Sequence, residues 1–400
     1  MKDLFPNMRL LNLELIKLAL LAICICSCNT SDSSLYQIDP RTFGDNDIKL
    51  SDIADDITYI PLDNSFPIAL IYPTSINILK NTIYLSARDI GIIKLSRDGK
   101  MPKVIGRRSR GPGEWYYCMS VAVDPRTETV YVMDNNNEIK TYFKSGVFKG
   151  TLKLPGNEDG FCFSHISIYN SNLFASQYIN MGHAKYNWII LDTLGNIISY
   201  KFNSIPTFTS NMGGRGGTFK FEDKISYWDW YNDTIFTVSP DMTFKPSYIF
   251  SLGEGKIPLD RIPSKDFLEI FSKYYIAINI LETKQYLLYL YGNNKKGTLA
   301  LIDKKTKENY LTSIPNEKDD GILNNLDGGL KFLPECYFTE NNREYLLSII
   351  DPFKLKKHVA GEEFVNFTCE FPEKKVLLQK LVENVKETDN PILMLVRLKK

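Results

Sequence analysis

The chain has 400 residues, with 48 Lys and Arg against 47 Asp and Glu, a formal charge of +1. That balance excludes the basic excess on one face that a nucleic-acid footprint needs, so no nucleic-acid partner is expected. Aromatics are abundant (23 Tyr and 23 Phe) and long amphipathic patterns are few, which points to a strand-rich fold.

The first element is a leader. Lys17 precedes an apolar run from Leu18 to Ile25. This is too short to span a bilayer, which takes about 20 apolar residues, but it suits the hydrophobic region of a secretory signal. Ile25-Cys26-Ser27-Cys28 then looks like a bacterial lipobox. The resemblance implies a signal peptide over 1–27, cleavage before Cys28 and lipidation of Cys28. It also implies a lipid-anchored place on the bacterial outer membrane, at the cell surface or on the periplasmic side. Reading from Met8 removes Asp3 and gives a neater signal. A buried helix over 10–28 is the alternative, but it would run straight into the polar stretch Asn29-Thr30-Ser31-Asp32-Ser33-Ser34. Residues 28–50 are therefore expected to be the lipidated Cys and a flexible tether, and 51–400 the folded domain.

Beyond the tether one pattern recurs about every 40–50 residues. In the clearest copy, Ser120 to Asp124 and Thr129 to Asp134 are strands around the turn Pro125-Arg126-Thr127-Glu128. Ile139 to Phe143 and Val147 to Leu154 are strands around Lys144-Ser145-Gly146. Four short antiparallel strands with Asn, Gly and Pro punctuation match one propeller blade. Further copies lie at 76–105, 166–203, 218–252 and 276–315, with a more divergent unit at 328–358. The expected fold is all-β: a six-bladed β-propeller of four-stranded antiparallel blades. A closed ring must hide its seam, because open strand edges pair with other chains. The leftover runs Ile57 to Leu62 and Ile392 to Val396 are expected to pair and close the last blade with strands from both termini. A β-sandwich with insertions does not explain the spacing. Two segments read as helical decorations, one from Ser264 to Phe271 and one from Pro372 to Val385. The second places Val376, Leu377, Leu381, Val382 and Val385 along one stripe.

Four stretches together carry a family resemblance: Asp52 to Leu62; Gly106-Arg107-Arg108-Ser109-Arg110-Gly111-Pro112-Gly113-Glu114-Trp115; Tyr231 to Phe236; and Asp389-Asn390-Pro391-Ile392-Leu393. The chain resembles the six-bladed β-propeller lipoproteins of Bacteroides-type envelopes, related in fold to NHL-repeat and TolB-like propellers. The resemblance implies fold and location, and brings no catalytic motif.

In such blades the connections between strands 2 and 3, and from strand 4 to the next blade, lie on one face. Here these are the long ones, and they form the expected binding mouth. Its candidates are Arg107, Arg108, Arg110, Trp115, Asn136, His165, His183, Trp228 and Trp230. The arginines suit a carboxylate; the alternative pairs one of them with Glu114 and packs Trp115 on a blade. Trp228 and Trp230 either stack on a sugar or pack between blades. The two histidines form a weak metal or acid–base pair, with surface or packing roles favoured. Asp124, Asp192 and Asp303 end repeated strands and read as turn caps. Gly213-Gly214-Arg215-Gly216-Gly217 reads as a flexible loop and lacks the context of a phosphate loop. The cysteines beyond Cys28 (Cys118, Cys162, Cys336 and Cys369) show no disulfide or metal spacing and read as buried or half-buried thiols. No metal or other cofactor is expected. The functional expectation is a binding or scaffolding module for a glycan, peptide or envelope protein. The alternative is a hydrolase or lyase acting on a polysaccharide or small ester.

Overall fold

The computed structural model describes residues 35–400 apart from 69, 88–89, 136, 156–162, 178, 209–213, 260–266 and 315–320. Six antiparallel sheets stand around an axis as blades I to VI. Blade I is Asn77–Ile78, Thr82–Ala87, Gly91–Ser96 and Lys103–Ile105. Blade II is Ser120–Val123, Val130–Asp134, Glu138–Tyr142 and Phe148–Lys153. Blade III is His165–Tyr169, Asn172–Ser176, Tyr186–Leu191 and Ile197–Phe202. Blade IV is Gly214–Phe221, Lys224–Asp229, Asn232–Val238 and Phe244–Phe250. Blade V is Ile276–Glu282, Tyr286–Asn293, Lys296–Asp303 and Asn309–Ile314. Blade VI is Cys336–Glu340, Arg343–Ile350, Ile392–Leu398 and, from the other end of the chain, Ala54–Pro61. The first strand of blade II is buried throughout, whereas the fourth strands of II and III alternate between exposed and half-buried. First strands therefore face the axis and fourth strands form the rim.

A blade covered on both faces must be apolar on both. Val130–Asp134 and Gly91–Ser96 accordingly carry near-continuous buried runs instead of simple alternation. Among the described residues the core divides into six clusters, one per seam between neighbouring blades. Tyr84, Ile92, Val121 and Val132 fill the seam between I and II, and Phe174, Trp188, Ile190 and Tyr227 that between III and IV. The seam between VI and I holds Ile60, Leu62, Ile83, Leu85, Leu393 and Leu395. Side chains near the axis also bridge the seams. Asn77 Oδ1 accepts from Val123 N–H (3.3 Å), Ser120 Oγ from Ile166 N–H (3.2 Å), and Asn279 donates to the Glu335 carbonyl (3.1 Å).

The expected closure is present. Ala54–Pro61 pairs antiparallel with Ile392–Leu398, Tyr59 standing opposite Met394. Ionic contacts reinforce the joint: Arg397 donates to Asp55 at 2.7 Å, Lys374 meets Asp56 at 2.6 Å, and Arg343 also reaches Asp55.

Two expectations need correction. Residues up to 50 are not all tether. Tyr36–Ile38 adds a parallel strand to the rim of blade IV, with Tyr36 opposite Tyr248 and Ile38 opposite Phe250. The chain then passes blade V, where Asn46 accepts from Leu311 N–H at 2.9 Å, and reaches the Leu50–Ile53 helix, whose Leu50 is fully buried. Ile38, Ile48 and Leu50 supply the burial that keeps this strap on the ring. The helices are also more numerous than the two expected. Pro352–Val359, Glu362–Asn366 and Pro372–Asn384 all lie in one long connection between the second and third strands of blade VI. Asp351 caps the first by accepting from Phe353 N–H at 2.7 Å, with Pro352 at its first position. Leu355, Phe364, Leu378 and Val382 bury this insertion against the seam between V and VI, while Val376 and Leu377 of the expected stripe are exposed. The other expected helix appears as Phe267–Lys273; residues 264–266 lie outside the described residues.

Candidate ligand-binding mouth

The topology puts the long connections on one face. Residues 106–119 link blade I to II, 251–275 link IV to V, and 177–185 join two strands of III. The opposite face carries short turns. There Asp124 accepts from Arg126 N–H (3.0 Å), Asp192 from Leu194 N–H (2.9 Å) and Asp303 from Lys305 N–H (2.8 Å). These three aspartates are turn caps.

The link from I to II is the most structured part of the mouth. Gly106 leaves blade I at φ 70°, and the chain folds back so that Trp115 N–H reaches the Arg107 carbonyl (3.2 Å) and Ser109 N–H the Trp115 carbonyl (3.0 Å). Gly111-Pro112-Gly113-Glu114 closes the loop: Glu114 N–H donates to the Gly111 carbonyl (3.1 Å), and Gly111 N–H donates to the Glu114 carboxylate (2.8 Å). Gly113 needs its φ of 73° for this turn, and its carbonyl accepts from the Tyr142 hydroxyl (2.9 Å). Trp115 plugs the loop into the seam between I and II, and Asp134 takes the next two backbone N–H groups, those of Tyr116 and Tyr117, each at 3.0 Å.

This frame leaves Arg107, Arg108 and Arg110 exposed on the loop that also exposes Tyr116 and Tyr117. Arg107 approaches Glu114 only at 3.9 Å and stays 81 % exposed, so that pair contributes little. Arg110 stacks over the Tyr116 ring, 4.5 Å from its centroid, and its hydrogen bond and charge hold the Tyr116 hydroxyl below its usual pKa. The arrangement offers guanidinium groups for a carboxylate or sulfate, with aromatic rings beside them for an apolar or sugar face.

The remaining candidates do not join this group. Trp115 is 2 % exposed, and Trp228 and Trp230 are each 5 % exposed, so the indoles fill seams and are not stacking platforms. Trp230 donates to the Ala277 carbonyl at 2.7 Å, tying blade IV to V. Arg215 is not in a flexible loop: it sits on the axial strand Gly214–Phe221, 5.9 Å over the Trp230 ring. His165 and His183 have separate partners. His165 Nδ1 lies 3.3 Å from Ser120 Oγ, and His183 Nε2 lies 3.2 Å from the Phe208 carbonyl. Burial, with the charge of Lys220 added, pushes His165 down to about 4. Asn136 lies outside the described residues. Among the described residues no group of three or more His, Cys, Asp or Glu side chains could hold a metal ion. Cys118, Cys336 and Cys369 are free, half-buried thiols, and burial raises Cys118 to about 11; Cys162 lies outside the described residues.

Sequence reasoning missed Tyr116, Tyr117 and Asp134 as the loop's partners, although Asp134 ends a predicted strand next to a long link. It also missed Lys220 and Glu335. Lys220 on the axial strand of blade IV is open to solvent, yet protein surrounds it and lowers its pKa. Burial raises Glu335 to about 7. Nothing local in the sequence marks either residue.

A family model described as "Domain of unknown function (DUF4934)" matches residues 35–397. No curated protein matches. Among solved structures, a Bacteroides fragilis protein described as exported is 21 % identical, with a TM-score of 0.64, covering 91 % of this chain and 100 % of that one. A member of the DUF4221 family from Bacteroides vulgatus is 12 % identical, with a TM-score of 0.48, covering 86 % of this chain and 97 % of that one. A virginiamycin B lyase from Staphylococcus aureus is 13 % identical, with a TM-score of 0.42, covering 73 % of this chain and 86 % of that one. The first of these supports the fold alone, and the other two carry no functional argument.

Proposed function

This chain belongs to the DUF4934 family, and from that premise we propose that it is an envelope-anchored propeller lipoprotein that binds, without catalysis, an acidic glycan or peptide at its mouth. The observation that carries the reading is the exposure of Arg107, Arg108 and Arg110 with Tyr116 and Tyr117 on one loop that Trp115 and Asp134 pin to the ring. A pre-ordered loop loses little entropy on binding, and guanidinium groups select carboxylate or sulfate by geometry as well as charge. The signal and lipobox of residues 17–28 support the anchor. Among the described residues no helix is long and apolar enough to cross a membrane.

The test is binding of residues 29–400 to arrays of uronic-acid, sulfated and neutral glycans and of acidic peptides. Binding should favour acidic ligands, weaken with salt, and fall at least about tenfold when Arg107, Arg108 and Arg110 are all changed to Ala. Equal binding by the triple variant overturns the reading. Turnover of a bound polymer that stops when a mouth residue is changed replaces it with a hydrolase or lyase.

A further inference from the structure

We propose that the ring rests on the membrane by the face of its short turns, with Met101, Val147 and Leu194 entering the bilayer interface and the mouth turned away. This rests on the anchoring at Cys28 proposed above.

The direction of one short strand carries the argument. Phe244–Phe250 runs from the turn at 239–243 toward the mouth-side link that begins at 251, and Tyr36–Ile38 lies parallel to it. The chain therefore joins blade IV while travelling toward the mouth, and it enters Tyr36 from the turn side. Tyr36 is held there by the turn of blade V. Lys307 Nζ sits 3.2 Å from the Tyr36 ring centroid, and the Tyr36 hydroxyl donates to the Asp303 carbonyl at 3.4 Å.

The length of the remaining chain makes the direction matter. Seven residues, 29 to 35, separate Cys28 from Tyr36. Fully extended, they reach about 27 Å. Tyr36 stands opposite Tyr248, four residues from Phe244 at the turn end of that strand. Covering that distance along the rim uses about 14 Å. About half the reach is left, so an acylated Cys28 holds the turn face close to the lipid.

That face is built for contact with an interface. Met101, Val147 and Leu194, on the turns of blades I, II and III, are 76 %, 61 % and 80 % exposed, and Phe143 beside Val147 is half exposed. Folding does not bury these side chains, and exposed Lys100 and Lys144 flank two of the turns. Apolar tips with basic neighbours suit the headgroup region of an anionic bilayer. The mouth side also carries exposed apolar groups with basic neighbours, such as Tyr117 and Ile179 at about half exposure, so the direction of Tyr36–Ile38 and not the composition of the two faces sets the orientation.

Hydroxyl-radical footprinting read by mass spectrometry tests the orientation. The full lipidated chain is compared on vesicles of phosphatidylethanolamine and phosphatidylglycerol with its Cys28→Ser variant in solution. Oxidation of Met101, Phe143 and Leu194 should slow several-fold on vesicles while Tyr116 and Tyr117 keep their rates. Protection of Tyr116 and Tyr117 instead, or of neither group, overturns the proposal. Intact mass reports acylation separately. A chain without an acyl group at Cys28 removes the anchor and the orientation with it. An acylated chain with unprotected turns removes the orientation alone.

Discussion

Asp134, at the end of the second strand of blade II, accepts the backbone N–H of Tyr116 at 3.0 Å. The same carboxylate takes the N–H groups of Tyr117 (3.0 Å) and Asn135 (2.8 Å) and is 2 % exposed. One buried side chain thus fixes where the arginine loop leaves the ring. Changing Asp134 to Ala strands these donors and should cost about 2–3 kcal/mol. Amide exchange at 116 and 117 should speed up and ligand affinity should fall, though no arginine has been touched. Unchanged exchange at those two amides would show that the loop holds itself.

Gly91 supports the same loop from the other side. A Cβ there would lie 2.3 Å from the Trp115 ring, and Gly91 has φ 96°. Gly91→Ala therefore combines backbone strain with overpacking, and the loss should be about 2–4 kcal/mol. Denaturant unfolding gives the loss, and Trp fluorescence should report a shifted Trp115. A variant as stable as the parent would mean that the indole has room to move.

Closure of the ring has a polar lock. The Tyr59 hydroxyl, on the closing strand, donates to Asp327 at 2.8 Å, and Asn324 and Gly329 N–H complete that carboxylate's partners at 2.7 and 2.9 Å. Asp327 is fully buried, and burial raises its pKa. Tyr59→Phe removes one donor from a buried acceptor and should cost about 2 kcal/mol in urea unfolding. Tyr59→Phe with Asp327→Asn should recover part of that loss; strict additivity would argue against coupling across the closure.

Two half-buried groups that protein atoms crowd oppose each other in pH dependence. His165 stays neutral in the folded ring down to about 4, while the unfolded chain takes a proton below its ordinary value of 6.5. Acidification from 6.5 to 4 therefore lowers stability. Glu335 keeps its proton in the folded ring up to about 7, while the unfolded chain releases it above 4.5. Its contribution is complete below 4.5 and is lost as pH rises toward 7. Each shift corresponds to up to about 3 kcal/mol, and between 4.5 and 6.5 the two slopes cancel. Glu335→Gln should leave a protein that weakens on acidification in that range, and His165→Gln one that weakens as pH rises. Urea midpoints across the range check both signs, and parallel profiles for the two variants would refute the assignment.

Much of the ring was legible in the chain because blades are local. Strand alternation, the turn caps at Asp124, Asp192 and Asp303, and the pairing of residues near 57 with those near 394 each follow from short patterns or from the need to hide an edge. The arginines were visible as composition, and their exposure followed from the length of their link. Other features depended on what covers what. Whether Trp115, Trp228 and Trp230 bind a sugar or fill a seam is decided by neighbouring blades, and a sequence window does not contain them. Lys220 acquires its environment from His165 and the carbonyl of Ile168 on the next blade, 3.4 Å away.

The leader and lipobox were read from residues 17–28 alone, because a signal is recognised as an extended string and needs no partner. The sequence by itself therefore determined the repeat, its closure and the expected anchor. Only the tertiary structure decided where the chain first joins the ring. Tyr36–Ile38 is three residues long and finds Phe244–Phe250 more than 200 positions away, a contact made favourable by the unfilled rim of blade IV and by nothing local to residues 36–38. That one pairing places residues 36–38 on the ring and not in the expected tether.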